Sequence, residues 1–468
     1  MYNTEKKEIS KDVVLKGVIA GDRAFCGPEL LQLDITNNCN TNCVGCWCHS
    51  DALGEDKLSG EKKHEQLSYE VIQGIVDDAS EIGVKGIQLA GSGEPLMHPN
   101  IVEIIRYIKS KHLELEIVTN GILFTEEIVK ALVECEVEQL AVSVWAGTPE
   151  TYIRIHPNQS KATLGRIKNN LKLLFEAKSK RAYLPMVRMY HVISAYNYRE
   201  IEAMVQFALE SGVSRVEFQV VDIIPGKTEF LHLSKRHIKK IQKQFQKLKK
   251  KKEVFLIDKY GSVEFNEFGR MIIPDTEHTD FTFYFYNYVF YCCRCAMNYG
   301  PVVRVEENMD LGVVSFYFDS NLCEHCYRRA DCSIDRPDYK ITSFMLSIVG
   351  ANTFLRRIEN AENDKENYDK GLVSMPCYAG WDYARILTNG DVIPCCKGFK
   401  NPFGNIYKES FKTIWFSKTY NEFRIRGKTL QKDDPYFKPF GCLKGCDNYG
   451  RNGAIGERLR KFLGETTS

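Results

Sequence analysis

Three cysteines near the start of the chain have the spacing Cys39-x3-Cys43-x2-Cys46. Three thiolates on one tight loop can hold three irons of a [4Fe-4S] cube, and the fourth iron then has no protein ligand. A small molecule with an amine and a carboxylate can chelate that iron. Structural zinc is the competing interpretation, because Cys48 or His49 can complete a set of four zinc ligands.

Cysteine is abundant along the rest of the chain, with 17 among 468 residues. Four lie between positions 39 and 48, six between 292 and 332, and five between 377 and 446. The N-terminal residues have no apolar stretch after their charges, so the sequence predicts no secretory signal and a cytoplasmic location. In that reducing compartment, grouped cysteines favour metal or redox chemistry over disulfides.

Composition and charge disfavour several classes of partner. The 63 basic and 61 acidic side chains leave a net charge of +2, which does not indicate a nucleic-acid partner. No apolar run is long enough to span a bilayer, so no membrane partner is expected. The hydrophobic fraction of 44% is typical of globular domains.

The first cysteines must be positioned by segments that alternate between strand and helix. Stretches with apolar residues at helical spacing separate six strand-like segments. This alternation predicts a parallel sheet with helices outside it, either open or curled into a partial barrel. Ligands of such folds bind at the carboxyl ends of the strands. The predicted strands are 31–37, 86–91, 115–120, 139–145, 186–194 and 216–222.

Small polar residues follow successive predicted strands. Ser92-Gly-Glu-Pro95 comes after the second strand, Asn120 after the third and Ser143 at the end of the fourth, while the sixth leads into 224–229. Glycine lets backbone approach a ligand, and a carboxylate can accept hydrogen bonds from an ammonium group. We therefore expect these groups to converge on one rim of the sheet, beside the cysteine loop (residues 39–46).

These motifs resemble those of the radical S-adenosylmethionine (SAM) superfamily. The CxxxCxxC spacing matches the cluster motif of that superfamily, and Ser-Gly-Glu-Pro matches its GGEP motif. The resemblance implies a [4Fe-4S] cluster on Cys39, Cys43 and Cys46 and reductive cleavage of SAM to a 5′-deoxyadenosyl radical that abstracts hydrogen from a substrate. It also implies reduced flavodoxin or ferredoxin as the electron donor.

The resemblance further implies a cofactor pocket on the strand-end rim. Ser92, Gly93 and Glu94 would bind the methionine amine of SAM. Asn120 and Ser143 match positions that approach the ribose or the carboxylate in such enzymes.

Two further segments belong to the same resemblance. The stretch 143–157 resembles a family segment that contains an arginine, so Arg154 is the candidate for the cofactor carboxylate. Residues 224–229 resemble a pattern found near the adenine. The chain departs from the family at Gly45, where an aromatic residue is usual, and at Ser92, which replaces a glycine.

The C-terminal part resembles a SPASM or Twitch domain. Cys377 is followed by twelve residues, a glycine, four residues and Cys395, and Cys442 and Cys446 supply a closing pair. The resemblance implies one auxiliary [4Fe-4S] cluster on these four thiols. Cys396 stands beside Cys395, so either of the two can be the ligand.

The middle cysteines have the spacing Cys323-x2-Cys326-x5-Cys332, which resembles the centre of a SPASM domain but precedes its ends. With Cys295, or one of the two cysteines just before it, they can hold a second auxiliary cluster or structural zinc. We expect two [4Fe-4S] clusters in the chain, and a third if this group binds iron.

The predicted fold class is α/β, with a partial (β/α)6 radical SAM barrel followed by a cysteine-rich α+β extension of SPASM or Twitch type. The predicted segments are an N-terminal extension (1–30), the barrel (31–258), a cysteine-rich middle segment (259–340) and an auxiliary-cluster domain (341–468).

The expected substrate is a carbohydrate or another small polar molecule, and the expected reaction an oxidation, dehydration or epimerisation. A peptide or protein maturase is the first alternative. It is disfavoured because only 38 residues precede Cys39, too few for the leader-binding domain that peptide-modifying relatives often carry. An iron-sulfur electron carrier is the alternative of another class, although a carrier has no use for a SAM pocket. The sequence identifies no catalytic acid or base.

Overall fold

The computed structural model of the chain describes residues 12–178, 184–213, 215–248, 373–442, 446 and 448–463, and the backbone of the strands between 254 and 349. Within these residues the helices are α1 (Val13–Ala20), α2 (Tyr69–Glu81), α3 (Ile101–Ser110), α4 (Glu126–Glu134), α5 (Pro149–Ile155), α6 (Ala162–Ala177), α7 (Ile201–Glu210), α8 (Lys235–Leu248), α9 (Ala379–Asp382), α10 (Phe411–Trp415), α11 (Lys418–Thr429) and α12 (Tyr449–Leu463). The strands are β1 (Leu30–Leu33), β2 (Gly86–Leu89), β3 (Glu114–Thr119), β4 (Gln139–Ser143), β5 (Met186–Ile193), β6 (Arg215–Val220), β7 (Val254–Ile257), β8 (Glu264–Phe265), β9 (Met271–Ile272), β10 (Val289–Tyr291), β11 (Asn298–Asn308), β12 (Val313–Phe318), β13 (Leu346–Val349), β14 (Tyr383–Ile386), β15 (Asp391–Ile393) and β16 (Gly404–Asn405).

The main sheet confirms the predicted (β/α)6 unit. Strands β1 to β6 lie side by side in chain order, and each pairs in parallel with the next. Each observed strand ends one to four residues before its predicted end. The polar residues beyond the strands are therefore in loops, at the carboxyl edge where ligands of parallel sheets bind.

Alternation along β5 shows how this sheet is covered. Val187, Met189 and Ile193 are buried beneath the helices, while Arg188 and Tyr190 between them are only partly buried on the opposite face. Successive side chains of a strand point to opposite faces, so one face carries the hydrophobic core and the other carries polar groups.

Helix α8 covers the sheet with one apolar edge. Ile238, Ile241, Phe245 and Leu248 are buried in the main hydrophobic core, and basic side chains lie around them. In the described parts of the chain, no helix has both the length and the apolar character needed to cross a membrane.

The C-terminal segment extends the same sheet on its other side. Strand β14 pairs in parallel with β1, and β15 and β16 continue from it as antiparallel neighbours. The N-terminal residues are tied to this segment, because the Trp381 indole donates to the Arg23 carbonyl (2.8 Å) and Arg458 pairs with Asp12 and Glu29. The sheet therefore passes across the predicted segment boundaries, which stay predictions.

A second sheet has the strand order β10-β11-β12-β9-β8 and is antiparallel. The middle cysteines, Cys295, Cys323, Cys326 and Cys332, lie outside the described residues. The predicted iron or zinc site on these thiols therefore stays a prediction.

Candidate functional site

The cysteine loop follows β1 and holds its thiols among nearby polar groups. The Cys43 thiol donates to the Thr41 hydroxyl (3.5 Å), and the Cys39 sulfur lies 3.3 Å from the same hydroxyl. The Cys46 sulfur accepts the backbone N–H groups of Cys48 (3.3 Å) and His49 (3.2 Å). Donors of this kind favour the thiolate form, which is the form that binds iron.

Burial has the opposite effect on the same three thiols. It raises the pKa of Cys39 and of Cys43 above the usual range and that of Cys46 to about 12. Neighbouring cysteines raise these pKa values further, so the three side chains are close enough to repel one another as thiolates. A positive metal centre would relieve that repulsion, because metal binding requires deprotonated thiols.

The second rim loop, Ser92-Gly-Glu94, lies directly against the chain that leads into the cysteine loop. Glu94 N–H donates to the Asn38 carbonyl (2.8 Å). A Cβ on Gly93 would lie only 2.4 Å from that same carbonyl oxygen and 2.5 Å from the Thr36 carbonyl oxygen. Only glycine fits at this position, because the backbone lies directly against the chain itself. The predicted approach of this backbone to a ligand stays a prediction.

The Glu94 carboxylate is buried and ties the loop to the end of β3. It accepts hydrogen bonds from the Thr119 hydroxyl (2.7 Å) and from the backbone N–H groups of Asn120 (2.7 Å) and Leu96 (3.1 Å). Burial nevertheless raises the pKa of Glu94 to about 7, against the effect of these three bonds. An ionised carboxylate has about four acceptor sites, so one remains for a ligand ammonium group.

Asn120 joins the two loops. Its amide donates to the Asn40 side chain (2.5 Å), and its own side-chain oxygen accepts the Ile122 N–H (3.1 Å). The structure thus brings Glu94 and Asn120 together beside the cysteine loop, as the sequence predicted for the strand-end rim.

Ser143 is engaged by a tryptophan from the same strand end. Trp145, in the left-handed region at φ 59°, donates its indole N–H to the Ser143 hydroxyl (2.7 Å). A Cβ on Gly45 would lie 3.4 Å from the Trp145 ring and 3.3 Å from Leu231 and Val221. The Trp145 ring at the end of β4 therefore lies beside Gly45 of the cysteine loop, a contact that the sequence did not indicate.

Arg154 lies on α5 and is exposed, with its guanidinium 5.3 Å from the centre of the Tyr196 ring. It does not take part in the hydrogen bonds around Glu94. The residues that follow it hold the cysteine loop instead. Asn158 and Asn42 exchange two hydrogen bonds between side-chain oxygens and backbone N–H groups (3.1 and 3.0 Å).

His49, one candidate for a fourth zinc ligand, contacts the Ser92–Glu94 loop instead. Its Nε2 lies 2.8 Å from the Ser92 carbonyl oxygen, and burial lowers the pKa of the ring. A neutral imidazole can donate from that nitrogen, which is then not available to a metal. This contact favours three thiol ligands over a zinc site completed by His49 Nε2.

The 224–229 segment forms a turn closed by its own side chains. Thr228 is fully buried and accepts the Ile224 N–H (2.7 Å), and Glu229 accepts the Gly226 N–H. Lys227 joins the turn to the Leu53 carbonyl (2.8 Å). The turn is thus held in a fixed position at the carboxyl end of β6.

The C-terminal cysteines are brought together by a hairpin. Cys377 precedes α9 and β14, and Cys395 follows β15, which pairs antiparallel with β14. Gly390, at φ 84°, makes the turn between these strands, where a Cβ would lie 2.6 Å from the Tyr407 ring. The spacing between the two cysteines is therefore the length of chain that leads out along β14 and back along β15.

The C-terminal thiol set consists of cysteines that lie close together: Cys377, Cys395, Cys442 and Cys446. Burial raises the pKa of Cys377 to about 11, of Cys442 to about 12 and of Cys395 well above the usual range, and the charges of neighbouring cysteines raise these three pKa values further. The side chains of Lys432 and Asn452 each lie 3.8 Å from the Cys446 sulfur. The ammonium group of Lys432 favours thiolates here.

Cys396 takes a different direction from its neighbour Cys395. Its sulfur lies 3.1 Å from the Tyr383 hydroxyl on β14, while Cys395 packs with Cys377 and Cys442. The structure therefore separates two adjacent thiols that the sequence could not tell apart.

A polar group inside the sheet was not predicted. Arg188 on β5 donates to Glu116 on β3 (2.6 Å) and to Glu217 on β6 (2.7 Å). Gln88 donates to Glu116 (2.9 Å), and Gln219 donates to Glu217 (3.1 Å). We call these five residues the barrel-interior group. Side chains of β3 and β5 meet across β4, as they do on the concave face of a curved sheet.

The barrel-interior group lies below the rim. Glu116 precedes Thr119 by three residues on β3, which is a rise of about 10 Å along the backbone, and the two side chains point to opposite faces of the sheet. The sequence signal for this group is a pattern of charged residues at alternate positions of strands whose other residues on that face are apolar.

Both cysteine sets suit iron-sulfur clusters in their chemistry. Each consists of buried or partly buried cysteines, whose thiolates are the ligands that [4Fe-4S] clusters take, and each has hydrogen-bond donors directed at sulfur. Among the residues that the structure describes, no three His, Cys, Asp or Glu side chains surround a point where a single metal ion would sit.

Comparison with known families and proteins agrees with this arrangement. The model of the radical SAM superfamily matches residues 33–208, and the model of the SPASM iron-sulfur cluster-binding domain matches residues 377–446. These two ranges contain the cysteine loop with its rim and the whole C-terminal thiol set.

The curated relatives have different activities. A tungsten-containing aldehyde ferredoxin oxidoreductase cofactor-modifying protein of Pyrococcus furiosus is 28% identical over 40% of this chain and 49% of its own length. A probable GTP 3′,8-cyclase of Methanothermobacter thermautotrophicus is 32% identical over 43% of this chain and 59% of its own. An AdoMet-dependent heme synthase of Methanosarcina barkeri is 30% identical over 42% of this chain and 51% of its own length. The chain thus spans about half the length of these relatives.

The fold is also similar to that of Streptococcus suis SuiB bound to S-adenosylmethionine. The TM-score is 0.52 at 13% sequence identity, over 96% of this chain and 79% of SuiB. At that identity the likeness concerns the fold alone. On the two family matches and the thiol sets within them, residues 33–208 are a radical SAM domain and residues 377–446 are a SPASM domain, and such domains have SAM and [4Fe-4S] clusters as their cofactors.

Proposed function

We propose that this chain is a radical SAM enzyme that abstracts hydrogen from a carbohydrate or another small polar molecule. The observation that supports this substrate class is the barrel-interior group, which places charged and amide side chains below the SAM rim. Arg188, Glu116 and Glu217 have 17%, 19% and 15% of their side-chain surface exposed, so none of the three side chains is fully enclosed by the protein. Pockets of this kind orient a ligand through a few placed polar groups.

The charge of the barrel-interior group favours some ligands over others. It contains two carboxylates, two amides and a single guanidinium, and both carboxylates bind that guanidinium. Acceptors dominate, so hydroxyl and amine donors suit the group. A phosphate would be repelled by the carboxylates that flank Arg188.

We assign the cofactors as follows. Cys39, Cys43 and Cys46 hold the SAM-binding cluster, and the C-terminal thiol set holds an auxiliary cluster. When bound and reduced, with reduced flavodoxin or ferredoxin as the proposed donor, the first cluster supplies the electron that cleaves SAM to a 5′-deoxyadenosyl radical. The rim residues Glu94 and Asn120 orient the cofactor. An oxidation, a dehydration or an epimerisation is the proposed outcome.

The test of the substrate class compares paired compounds. Anaerobically reconstituted protein is incubated with dithionite, SAM and a sugar, an amino sugar, their phosphates or a peptide, and 5′-deoxyadenosine is measured. We expect an unphosphorylated compound to raise its formation above the substrate-free rate. Glu116→Gln should reduce that rise by at least about tenfold, the effect of losing a hydrogen bond to a charged group.

Glu114 on the same strand provides the matched control. Its carboxylate is exposed and lies 3.7 Å from the Lys85 ammonium, so Glu114→Gln should keep the full rise. A rise produced by a phosphorylated compound alone would contradict the proposed substrate class. A rise produced by a peptide alone would favour the maturase alternative.

Glu94 leads to a prediction about pH. Its pKa of about 7 without cofactor means that protons compete with the SAM ammonium for the carboxylate. Between about pH 7.5 and 5.5 the affinity for SAM should fall, approaching tenfold per pH unit below the pKa. Glu94→Gln should bind SAM more weakly at pH 7.5 and lose this dependence, with iron content unchanged. Titration calorimetry over this pH range measures the affinity for SAM and its pH dependence. Glu103→Gln, at an exposed position, is the control.

The different directions of Cys395 and Cys396 give a prediction about metal content. Cys395→Ala should lose about four irons per chain after anaerobic reconstitution, because a [4Fe-4S] cluster loses a ligand. Cys396→Ala should keep the full iron and sulfide content. Loss of iron in the Cys396 variant alone would show that the assignment is reversed.

A further inference from the structure

The rim is connected to the SPASM segment by a buried ion pair. Arg385 lies on β14, in register with Gln32 of β1. Its Nε and Nη2 donate to the two carboxylate oxygens of Asp34, at 2.9 and 2.6 Å. The Asp34 side chain is fully buried, and 15% of the Arg385 side chain is exposed. Two parallel bonds of this kind fix the orientation of the carboxylate as well as its charge.

Asp34 in turn builds the start of the Ser92–Glu94 loop. Its Oδ2 accepts both the backbone N–H and the hydroxyl of Ser92, each at 3.2 Å. Gly91, at φ 132°, lies so close that a Cβ there would be 2.1 Å from the Asp34 carboxyl carbon. The backbone that leads to Gly93 and Glu94 is therefore shaped around this carboxylate.

A second contact reaches Asp34 from the side of the C-terminal cysteines. The Tyr383 hydroxyl lies 2.6 Å from the Gln32 side-chain oxygen and 3.1 Å from the Cys396 sulfur. The Gln32 amide donates to Asp34 (3.2 Å). Asp34 is thus held by two side chains of β14, one directly and one through Gln32.

We propose that Arg385 is a positioning residue of the SAM site, supplied by the SPASM segment. It orients Asp34, Asp34 holds Ser92, and the loop then presents Glu94 to the cofactor. The affinity for SAM therefore depends on the docking of β14 against β1. This inference rests on the assignment of the Ser92–Glu94 loop to the cofactor under the proposed function.

The test measures SAM binding to the reconstituted full-length protein by titration calorimetry. Arg385→Gln should weaken SAM binding by about tenfold or more, as the loss of an orienting partner does at other sites, with iron content unchanged. Arg385→Lys keeps the charge without the two-bond geometry and should weaken binding less. It also provides a folded variant if Arg385→Gln does not fold. Asp34→Asn combined with Arg385→Gln should be no worse than Asp34→Asn alone, because both changes break the contact between Asp34 and Arg385.

Arg451→Gln is the matched control. Arg451 pairs with the buried carboxylate of Asp382 (2.5 and 2.9 Å) in the same C-terminal segment, away from the Ser92–Glu94 loop. This variant should lower the melting temperature and leave the affinity for SAM unchanged.

The outcomes separate this inference from the proposed function. If Arg385→Gln and Arg451→Gln both lower the melting temperature and neither changes SAM affinity, Arg385 is only structural and the inference is wrong. If Glu94→Gln leaves SAM affinity unchanged, the loop assignment itself fails. If Glu94→Gln binds SAM more weakly while Arg385→Lys and Arg385→Gln bind it as tightly as the unchanged chain, the inference is wrong and the loop assignment stands.

Discussion

Replacement of Cys39, Cys43 or Cys46 by Ala is expected to abolish the formation of 5′-deoxyadenosine. Each thiol is assigned to its own iron, so each loss removes a ligand that no neighbour replaces. The SPASM range is separate, and the signal of the auxiliary cluster should therefore survive. Anaerobic reconstitution followed by dithionite and SAM measures the product, and electron paramagnetic resonance measures the remaining cluster.

Cys48→Ala is the control for this prediction. Cys48 lies in the same part of the chain, and its backbone N–H, which the substitution keeps, donates to the Cys46 sulfur, while its thiol shares a hydrogen bond with Ser92. This variant should retain its iron and form 5′-deoxyadenosine within about tenfold of the unchanged chain, since a hydrogen bond of this kind contributes about 1 kcal/mol. A zinc site completed by Cys48 would instead lose its metal. Undiminished cleavage of SAM in the triple Ala variant would refute the assignment.

Replacement of both Cys442 and Cys446 by Ala is expected to open the C-terminal region and to uncouple SAM cleavage from substrate conversion. The auxiliary cluster would join thiols whose consecutive members are separated by as many as 46 intervening residues, so its binding contributes folding free energy. Lys432 is buried and its ammonium contacts the Cys446 sulfur, so trypsin should not cut there in the unchanged chain. In the double variant a new tryptic cleavage after Lys432 should appear, while the barrel stays resistant.

The same variant should still cleave SAM slowly, because the cysteine loop and Glu94 are untouched. It should not convert the compound that stimulates cleavage in the unchanged chain. The double variant Cys26→Ala with Cys135→Ala is the control for cysteine loss alone and should be as resistant to trypsin as the unchanged chain. Normal turnover, or unchanged resistance at Lys432, would contradict the proposed role of the C-terminal thiol set.

Local sequence determined much of what carries the chemistry. The spacing of Cys39, Cys43 and Cys46 lies within eight residues, so it is a property of one loop and not of the fold around it. The hydrophobic period of each strand and helix likewise depends on neighbours in the chain. From these patterns the parallel (β/α)6 order and the placement of Glu94 and Asn120 on one rim could be predicted and were confirmed.

Tertiary structure decided which distant side chains meet. Asp34 and Arg385 are 351 positions apart, and they pair because β14 adds to β1 in one particular register. The barrel-interior group draws on four strands, and Trp145 packs at Gly45 only because the ends of β1 and β4 face the same rim. Periodicity along a chain indicates which face of a strand is buried, but it contains no information on the register between strands. The sequence by itself therefore determined the cysteine loop and the strand order, and the folded sheet determined which groups meet at the rim and inside the barrel, where we propose that the cofactor and the substrate bind.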